Sequence, residues 1–376
     1  EISCSLVGSE MCIRDRGMTE IKKIGILTSG GDCAGLNAVV LAVVNSATKL
    51  GWEVYGIHNG TDGLTEAPLS YELLTEKNFS DTPWPRLAGS YLGSLNKGVK
   101  MESQVEISAR FGKGVAELGL DAVVVVGGDG SMNIVSNYCR NAGVKMVGIP
   151  KTIDNDTPLT QYSVGFNSAC QVCVEAVDAL WKTARSHQRA LILEVMGRDA
   201  GHLAMHSAVA GFADVCLVPE IPYTIDGIIN KLKSVKAKGR NHAVIVVSEG
   251  VHTESGEMVS NTKNLIGEKI NGGIGEYLSA AINAKYSEFQ TRVTKLGHVQ
   301  RAGDPTAFDR ALACAFGAKA VELLKAGKTD VMVALNGDKL KTYPLEEVVA
   351  EGTTLLNKDS VYVRAAVDMG MYVGEI

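Results

Sequence analysis

Residues 122–131 read Ala-Val-Val-Val-Val-Gly-Gly-Asp-Gly-Ser, a short apolar run that ends in closely spaced glycines. An apolar run without polar alternation is typical of a strand covered on both faces, as in a parallel sheet between helices. The other such runs are residues 21–27, 144–149, 191–195, 215–218, 243–247 and 331–334. Helical patterns lie between them at residues 36–50, 102–118, 167–184 and 307–326. This alternation predicts an α/β fold of the doubly wound type.

Length, charge and cysteine usage narrow the class of protein. A chain of 376 residues should hold about two domains, and its net charge of -5 gives no case for nucleic acid or anionic membranes. No apolar stretch approaches the roughly 20 residues that span a bilayer. The eight cysteines form no dense framework, and we interpret Cys170 and Cys173 as core thiols rather than a metal or redox pair. We therefore expect a soluble, cytoplasmic protein.

The first seventeen residues differ from the rest of the chain. They show no sustained periodicity, and the stretch that ends at Arg16 resembles a translated sequencing adapter. Met18 then leads directly into the first apolar run. The sequence predicts a non-native or disordered leader at residues 1–17.

Polar and glycine-rich loops follow the predicted strands. The ligand crevice of an open parallel sheet lies at the carboxyl ends of its strands, so we expect the chemistry in these loops. The glycines of 127–131 would let a phosphate approach the backbone, and Asp129 could hold a magnesium ion. The turn at residues 28–32 is a weaker candidate for phosphate binding.

Residues 150–156, Pro-Lys-Thr-Ile-Asp-Asn-Asp, carry the densest chemistry. Phosphoryl transfer needs a positioned base for the attacking hydroxyl, and we choose Asp154. Asp156 would raise the pKa of Asp154 and Lys151 would lower it, so the sequence leaves the direction open. Thr152 is placed to bond the hydroxyl or the transferred group. The alternative is a polar turn with an Asx cap.

Further candidate anion-binding residues are scattered along the chain. Arginine forks suit phosphate groups, although each of these residues, taken alone, is more often a surface cation or part of an ion pair. They are Arg189, Arg198, Arg292, His298 and Arg301.

Six strings now match one family in order and spacing. They are Leu-Thr-Ser-Gly-Gly-Asp (27–32), Gly-Gly-Asp-Gly-Ser (127–131), Pro-Lys-Thr-Ile-Asp-Asn-Asp (150–156), Ser-His-Gln-Arg (186–189), Glu-Val-Met-Gly-Arg (194–198) and Leu-Gly-His-Val-Gln-Arg (296–301). From about Ile21 to Arg310 the chain resembles the 6-phosphofructokinases. The resemblance implies phosphorylation of fructose 6-phosphate on its 1-hydroxyl to give fructose 1,6-bisphosphate.

The resemblance also implies roles for individual residues. Asp154 would act as base, Thr152 would support the transferred group, and Arg198 would stabilise transition-state charge. The residues implied for the sugar phosphate are Asp156, Met196, Gly197, Glu249, His298 and Arg301, joined by Arg189 and Arg292 from a neighbouring subunit. Those implied for the donor are Gly30, Gly128, Gly130, Ser131, Asn96, Lys97 and Lys151, with Asp129 at Mg²⁺.

The implied architecture is two doubly wound, mostly parallel-sheet domains with the active site in the crevice between them. Residues 18–165 plus 300–350 would form the phosphoryl-donor domain. Residues 166–299 plus 351–376 would form the sugar-phosphate domain. Active sites shared between subunits imply a homotetramer or a homodimer.

The chain departs from the family pattern at several positions. Non-basic residues replace the arginines of the usual effector site, which argues against effector control of that type; they are Leu41, Asn45 and Trp181. Asn96 replaces an arginine expected to bridge donor and sugar, and Lys97 is a candidate substitute.

The phosphoryl donor is ambiguous from the sequence. Gly130 matches the pattern of ATP users, whereas Lys151 matches that of pyrophosphate users. ATP is favoured because a side chain at position 130 would crowd the α-phosphate, whereas a flexible lysine can turn away. Thr61, where ATP users often carry an aromatic residue, argues for the pyrophosphate alternative.

Two rival functions follow from the same motifs. NAD and lipid kinases also use a Gly-Gly-Asp-Gly string, but they lack the strings at 150–156 and 296–301. A non-catalytic subunit that binds sugar phosphate is the rival from another class. The presence of Asp154, Thr152, Asp129 and Arg198 argues against it.

Overall fold

The computed structural model describes residues 21–94, 103–259, 262–263, 269–270 and 272–376. The leader predicted at residues 1–17, and the donor-side candidates Asn96 and Lys97, lie outside these ranges. The strands are β1 (Lys23–Thr28), β2 (Glu53–Ile57), β3 (Tyr71–Leu74), β4 (Ala122–Gly127), β5 (Met146–Thr152), β6 (Val164–Gly165), β7 (Ala190–Val195), β8 (Val215–Leu217), β9 (Ala243–Ser248), β10 (Thr262–Lys263), β11 (Lys269–Ile270), β12 (Thr291–Lys295), β13 (Val331–Asn336) and β14 (Lys339–Pro344).

Helices connect most of these strands. The α-helices are α1 (Leu36–Thr48), α2 (Asp62–Thr65), α3 (Gln104–Leu118), α4 (Asp129–Ala142), α5 (Phe166–His187), α6 (His202–Ala210), α7 (Ile225–Ala237), α8 (Ile274–Lys285), α9 (Ala307–Lys325), α10 (Leu345–Glu351) and α11 (Val361–Asp368). Single helical turns occur at Glu76–Ser80, Trp84–Arg86 and Gly297–Arg301. Among the described residues, no helix has the length and apolar character needed to cross a membrane.

The larger sheet has the strand order β14-β13-β5-β4-β1-β2-β3, with β6 paired to the end of β5. Its central strands β13, β5, β4, β1 and β2 pair in parallel, whereas β3 and β14 are antiparallel edge strands. Every residue of β4 is buried, as its uninterrupted apolar run predicts.

The smaller sheet has the order β12-β7-β9-β8, and all its pairs are parallel. β7 and β9 are buried along their whole length. Near the end of the chain, Tyr372 forms a bridge to Val215 of this sheet. The predicted α/β class with mostly parallel sheets is confirmed. The predicted domain limits near residues 165 and 300 remain a prediction.

A buried carboxylate joins the helices of the two sheets. Asp309, near the start of α9, accepts hydrogen bonds from the Ser168 N–H (2.7 Å), the Ser168 hydroxyl (2.6 Å) and the Gly165 N–H (3.2 Å). These groups lie at the N-terminus of α5, where backbone donors would otherwise lack partners. The bonds fix α5 against α9 below the loops that carry the candidate chemistry.

The two cysteines interpreted as core thiols lie on α5. Cys173 is fully buried in the main hydrophobic core, and Cys170 packs against the same core. Both are free thiols, and burial raises the pKa of Cys173 to about 12. Their surroundings agree with the interpretation of a buried helical stripe.

Candidate functional site

A cleft of about 420 Å³ lies where loops from the two sheets meet. Its first wall comes from the loops after β1, β4 and β5 of the larger sheet, and its second wall from the loops after β7 and β9 of the smaller sheet. Carboxyl ends of parallel strands are the usual location of a ligand crevice. The predicted residues that line the cleft are Gly30, Gly128, Asp129, Gly130, Ser131, Lys151, Thr152, Asp154, Asp156, Arg198, Glu249 and Arg301.

Asp154 carries the most perturbed carboxylate of the cleft. Burial, together with the nearby carboxylates of Asp156 and Glu249, raises the pKa of Asp154 to about 7. Arg301 and Arg198 act in the opposite direction. The buried Oδ1 of Asp154 has no hydrogen-bond partner. The sequence left open whether the pKa of Asp154 is raised or lowered, and the structure shows that it is raised. A raised pKa suits a carboxylate that exchanges a proton near neutral pH.

The chain turns sharply so that two neighbouring acids reach the same cleft. Asn155 has a φ of 52°, in the left-handed region that asparagine tolerates better than most residues. Its amide donates to the Gln161 carbonyl at 3.0 Å and its Oδ1 accepts from the Ser163 N–H at 2.9 Å. Burial and Asp129 raise the pKa of Asp156. The two side-chain bonds of Asn155 reach six and eight residues along the chain and hold the turn between the acids, whereas an Asx turn would need a bond to the residue two positions on.

Thr152 is bonded to the candidate base through the backbone. Its Oγ1 accepts a hydrogen bond from the Asp154 N–H at 3.1 Å. A hydrogen bond from Thr152 also lowers the pKa of Asp156. One hydroxyl thus contacts both ends of the acid-bearing turn.

Lys151 lines the cleft but is buried against the glycine loop that follows β1. Its side chain is 3% exposed, and Nζ donates a short hydrogen bond to the Gly31 carbonyl. Burial lowers the pKa of Lys151 below its usual value. Arg301 lies on the other side of the same loop, where Nη1 donates to the Asp32 carbonyl at 3.0 Å. A Cβ at position 31 would lie 2.0 Å from Arg301 Nη1, so glycine leaves room for the guanidinium.

The glycines of the first wall differ in what they permit. Gly30 has a φ of 83°, and a Cβ there would lie 3.0 Å from Ser131 Oγ. Gly130 has no heavy atom within 4 Å of the position of a Cβ, so the space above it is open. Contrary to the interpretation of 127–131 as a loop, α4 begins at Asp129. Gly130 and Ser131 therefore lie in the first helical turn, where backbone N–H groups and the helix dipole favour a phosphate.

Asp129 has a partner for each carboxylate oxygen. Oδ1 accepts from the Gly130 N–H at 2.6 Å, and Oδ2 accepts from the Thr353 hydroxyl at 3.0 Å. Within the described ranges, no group of three or more His, Cys, Asp or Glu residues is placed to hold a metal ion. Mg²⁺ commonly binds through one or two carboxylates together with substrate phosphates and water. A single Asp129 beside a phosphate-binding helix end fits that mode.

The second wall is more exposed. The Arg198 side chain is 74% exposed, and its Nε donates to Asp199 Oδ2 at 3.0 Å. Gly197 has a φ of 128°, and its carbonyl accepts from the Ser248 hydroxyl at 2.6 Å. Burial raises the pKa of Glu249, and Glu194 raises it further. This wall presents a cation and a carboxylate opposite the glycines.

Several predicted residues do not line the cleft. Met196 and Gly197 flank it in sequence, whereas His298 and Arg292 are exposed and Arg189 is partly buried. Arg292 donates to the carbonyl of its own neighbour Thr291 at 2.9 Å. The expectation that Arg189 and Arg292 act in a neighbouring subunit stays a prediction.

The structure adds residues that sequence reasoning missed. Gly31, Ile134, Ile153 and Asp199 line the cleft. Thr353 contacts the lining residue Asp129 from a segment more than two hundred residues further along the sequence. Asp199 and Gly31 could have been found as neighbours of chosen residues, but no pattern in the sequence points to Thr353.

Comparisons with known proteins agree with this geometry. The family model described as Phosphofructokinase matches residues 23–324. The ATP-dependent 6-phosphofructokinase 1 of Nostoc sp. is 43% identical over 364 residues, which cover 95% of this chain and 100% of that protein.

Solved structures share the fold. Pichia pastoris phosphofructokinase in the T-state has a TM-score of 0.75 and 27% identity, covering 89% of this chain and 38% of that one. The pyrophosphate-dependent phosphofructokinase from Nitrosospira multiformis has a TM-score of 0.76 and 21% identity, covering 94% of this chain and 93% of that one. At such identity the second likeness concerns the fold alone.

Proposed function

This chain belongs to the phosphofructokinase family, and we propose that it transfers the γ-phosphoryl group of ATP to the 1-hydroxyl of fructose 6-phosphate. The products are fructose 1,6-bisphosphate and ADP. The observation that carries the proposal is Asp154, a carboxylate with a pKa of about 7 that faces the cleft between a glycine-lined helix end and Arg198. The enzyme is a phosphotransferase with an alcohol acceptor.

Asp154 acts as the general base. Its ionised oxygen takes the proton of the 1-hydroxyl while the hydroxyl oxygen bonds to the γ-phosphorus and the bond to the ADP oxygen breaks. A base with a pKa near 7 is partly ionised at neutral pH and still strong enough to accept this proton. Burial maintains this pKa, together with the charges of Asp156 and Glu249.

Arg198 and Thr152 act on the transferred group. Phosphoryl transfer spreads negative charge over the equatorial oxygens, and an arginine fork stabilises such charge. The Arg198 side chain is exposed and lines the cleft, so its guanidinium is accessible to a phosphate. In the transfer step the Thr152 hydroxyl would turn its hydrogen bond from Asp156 to the transferred group, while its oxygen keeps the bond from the Asp154 N–H.

Two features of the first wall agree with ATP as donor. The open space above Gly130 leaves room for the α-phosphate of a nucleotide. Lys151, the residue that resembles pyrophosphate users, is buried, and its Nζ is engaged by the Gly31 carbonyl. The Nostoc relative is named an ATP-dependent enzyme. Gly30, Gly128 and Ser131 complete the donor wall in our assignment.

Asp129 would hold Mg²⁺ together with the donor phosphates. When bound, this ion neutralises part of the phosphate charge. The chain contributes the Asp129 carboxylate and the N–H groups of the first turn of α4. The Asp129 carboxylate and these N–H groups both lie on the donor side of the cleft.

We assign the sugar phosphate to the second wall and the residues beside it. Glu249 and Arg301 line the cleft, and Met196, Gly197 and His298 lie in adjoining segments. Arg189 and Arg292 would reach the 6-phosphate from a neighbouring subunit of a homotetramer or homodimer. We place the reaction in the cytoplasm, as expected for glycolysis.

The donor is tested by initial rates with ATP and with pyrophosphate, measured side by side on fructose 6-phosphate and Mg²⁺. We expect a strong preference for ATP. A preference for pyrophosphate would contradict the donor assignment but leave the acceptor and the base in place. Phosphorylation of NAD without turnover of fructose 6-phosphate would favour the NAD-kinase alternative, and no turnover with either donor would favour a non-catalytic subunit.

A further inference from the structure

Residues 352–356, which we call the strap, begin the connection from α10, beside the larger sheet, to α11, which packs on α6 of the smaller one. The Thr354 N–H donates to the backbone carbonyl of Asp156 at 2.8 Å, and the Thr354 carbonyl lies 3.1 Å from His202 Nε2. The strap is therefore bonded through one residue to the acid-bearing loop of the first wall and to the start of α6.

A second anchor lies two residues further on. The Leu356 N–H donates to Glu220 Oε1 at 2.8 Å, and the same oxygen accepts from the Gly201 N–H at 2.9 Å. Leu356 itself is buried. Backbone bonds on Thr354 and Leu356 thus hold the strap in place without any contribution from the Thr353 side chain.

The Thr353 side chain makes a different kind of contact. It is exposed, and its Oγ1 donates to Asp129 Oδ2 at 3.0 Å. The terminal torsion of an aspartate is broad, so a carboxylate without partners can rotate about it. With Gly130 bonded to Oδ1 and Thr353 to Oδ2, the carboxylate plane is fixed, and each oxygen keeps lone pairs for a cation.

We propose that Thr353 is a positioning residue that orients the Asp129 carboxylate for the magnesium ion of the donor. The proposal rests on the proposed role of Asp129 in the phosphotransferase reaction. Thr353→Val keeps the branched shape of the side chain and removes the hydroxyl. Because the strap is held by backbone bonds, the variant should fold like the parent protein.

The test measures how much Mg²⁺ tightens the binding of a non-hydrolysable ATP analogue, by isothermal titration calorimetry with and without the ion. The ratio of the two dissociation constants is the coupling between metal and nucleotide. We expect Thr353→Val to reduce this ratio about three- to tenfold, less than a buried hydrogen bond to a charged group would give. Affinity without Mg²⁺ and the unfolding temperature should not change.

Matched variants separate positioning from a general loss. Thr353→Ser should retain most of the coupling because it keeps the hydroxyl. Thr354→Val makes the same chemical change one residue away, at a position held through its backbone N–H and carbonyl, and should leave the coupling unchanged. In an Asp129→Asn background, Thr353→Val should have no additional effect if it acts through Asp129.

The outcomes distinguish this proposal from the metal assignment. Coupling that is lost in Asp129→Asn but unchanged in Thr353→Val would refute the role of Thr353 alone. The role of Thr353 is also refuted if Thr354→Val loses as much coupling between Mg²⁺ and nucleotide as Thr353→Val does. It is refuted as well if Thr353→Val weakens this coupling further in the Asp129→Asn background. Full coupling in Asp129→Asn would remove Asp129 from the metal site, and Thr353 with it.

Discussion

Two cations of the same cleft, Lys151 and Arg198, lie in opposite circumstances. Lys151 lies near the end of the central strand β5, is 3% exposed and donates to a backbone carbonyl of the neighbouring loop. Arg198 follows a strand of the smaller sheet, and its side chain is 74% exposed and bonded to the adjacent Asp199. The difference implies that the first wall is fixed before substrate arrives, whereas the second wall supplies a charge that the substrate must order.

This contrast has a physical consequence for catalysis. Groups fixed in advance cost no reorganisation when charge develops, which is the main source of electrostatic catalysis. They also carry a cost in stability, because burial opposes ionisation of Asp154. Substitutions in the first wall should therefore have large effects on turnover and on stability. Substitutions in the second wall should mainly affect charge complementarity with the substrate.

The largest expected effect is the loss of the base. Asp154→Asn keeps the size of the side chain but cannot accept a proton, so kcat should fall by about two to four orders of magnitude. Steady-state kinetics with ATP measure kcat, and equilibrium titration measures the binding of fructose 6-phosphate. Binding should be largely retained because Asp154 acts on the proton and not on the 6-phosphate. Turnover within a factor of about three of the parent enzyme would remove Asp154 from the mechanism.

The second prediction concerns stability. The folded-state pKa of Asp154, about 7, lies above the ordinary value of 3.8, so the folded protein holds this proton more tightly than the unfolded chain. Stability is therefore lost as pH rises from about 4 to 7, and the full loss persists above 7. The full pKa difference would correspond to a loss of roughly 4 kcal/mol in the free energy of unfolding. Because Asp154 is partly exposed, we expect a loss on the order of 2 kcal/mol. Asp154→Asn removes this loss and should be the more stable protein at pH 8.

The exposed wall provides the control for stability. Arg198→Ala should change the free energy of unfolding by less than about 0.5 kcal/mol, because the side chain is exposed and makes one surface ion pair. Urea unfolding at pH 5 and pH 8, at one protein concentration, measures both variants. Arg198→Ala should keep the pH dependence of the parent protein, because Asp154 is still present. If Arg198→Ala removes more of that dependence than Asp154→Asn does, the contrast between the walls is wrong.

Sequence reasoning predicted the strands that are buried on both faces and missed those that are not. β4, β7 and β9 were found because every residue is apolar enough for a covered position. β12 reads Thr-Arg-Val-Thr-Lys with mostly exposed or half-buried positions, and β14 alternates at an edge, so neither shows an apolar run. Edge strands lack the pattern because only part of their surface is covered.

The candidate site shows the same division. Loops that directly follow buried strands carry Asp129, Asp154 and Arg198, and their place at the strand ends was predictable from the chain. Thr353 comes from a connecting segment, and its contact with Asp129 depends on how α10 and α11 pack on different sheets. The sequence also could not give the direction in which the pKa of Asp154 shifts, because burial dominates it.

The smallest expected effect is a shift in the pKa of the base, and it shows which wall controls that pKa. The acid limb of kcat/KM for fructose 6-phosphate should have an apparent pKa near 7, with activity rising as Asp154 ionises. Removing a neighbouring negative charge lowers the pKa of a carboxylate, so Asp156→Asn and Glu249→Gln should both move this limb to lower pH. Asp156 raises the pKa of Asp154 more than Glu249 does, so Asp156→Asn should give the larger displacement.

The informative quantity is the pH at which the acid limb of kcat/KM lies. The maximum value of kcat/KM is not informative, because Asp156 and Glu249 are also assigned to substrate binding. Profiles from pH 5.5 to 9 with the parent enzyme and the two variants share the titration of the substrate phosphate, which therefore cancels in the comparison. A larger displacement for Glu249→Gln would place the pKa of the base under the control of the exposed wall. Since Asp156 follows the strand that also carries Lys151, the opposite result would mean that the first wall fixes both the position and the proton affinity of the base.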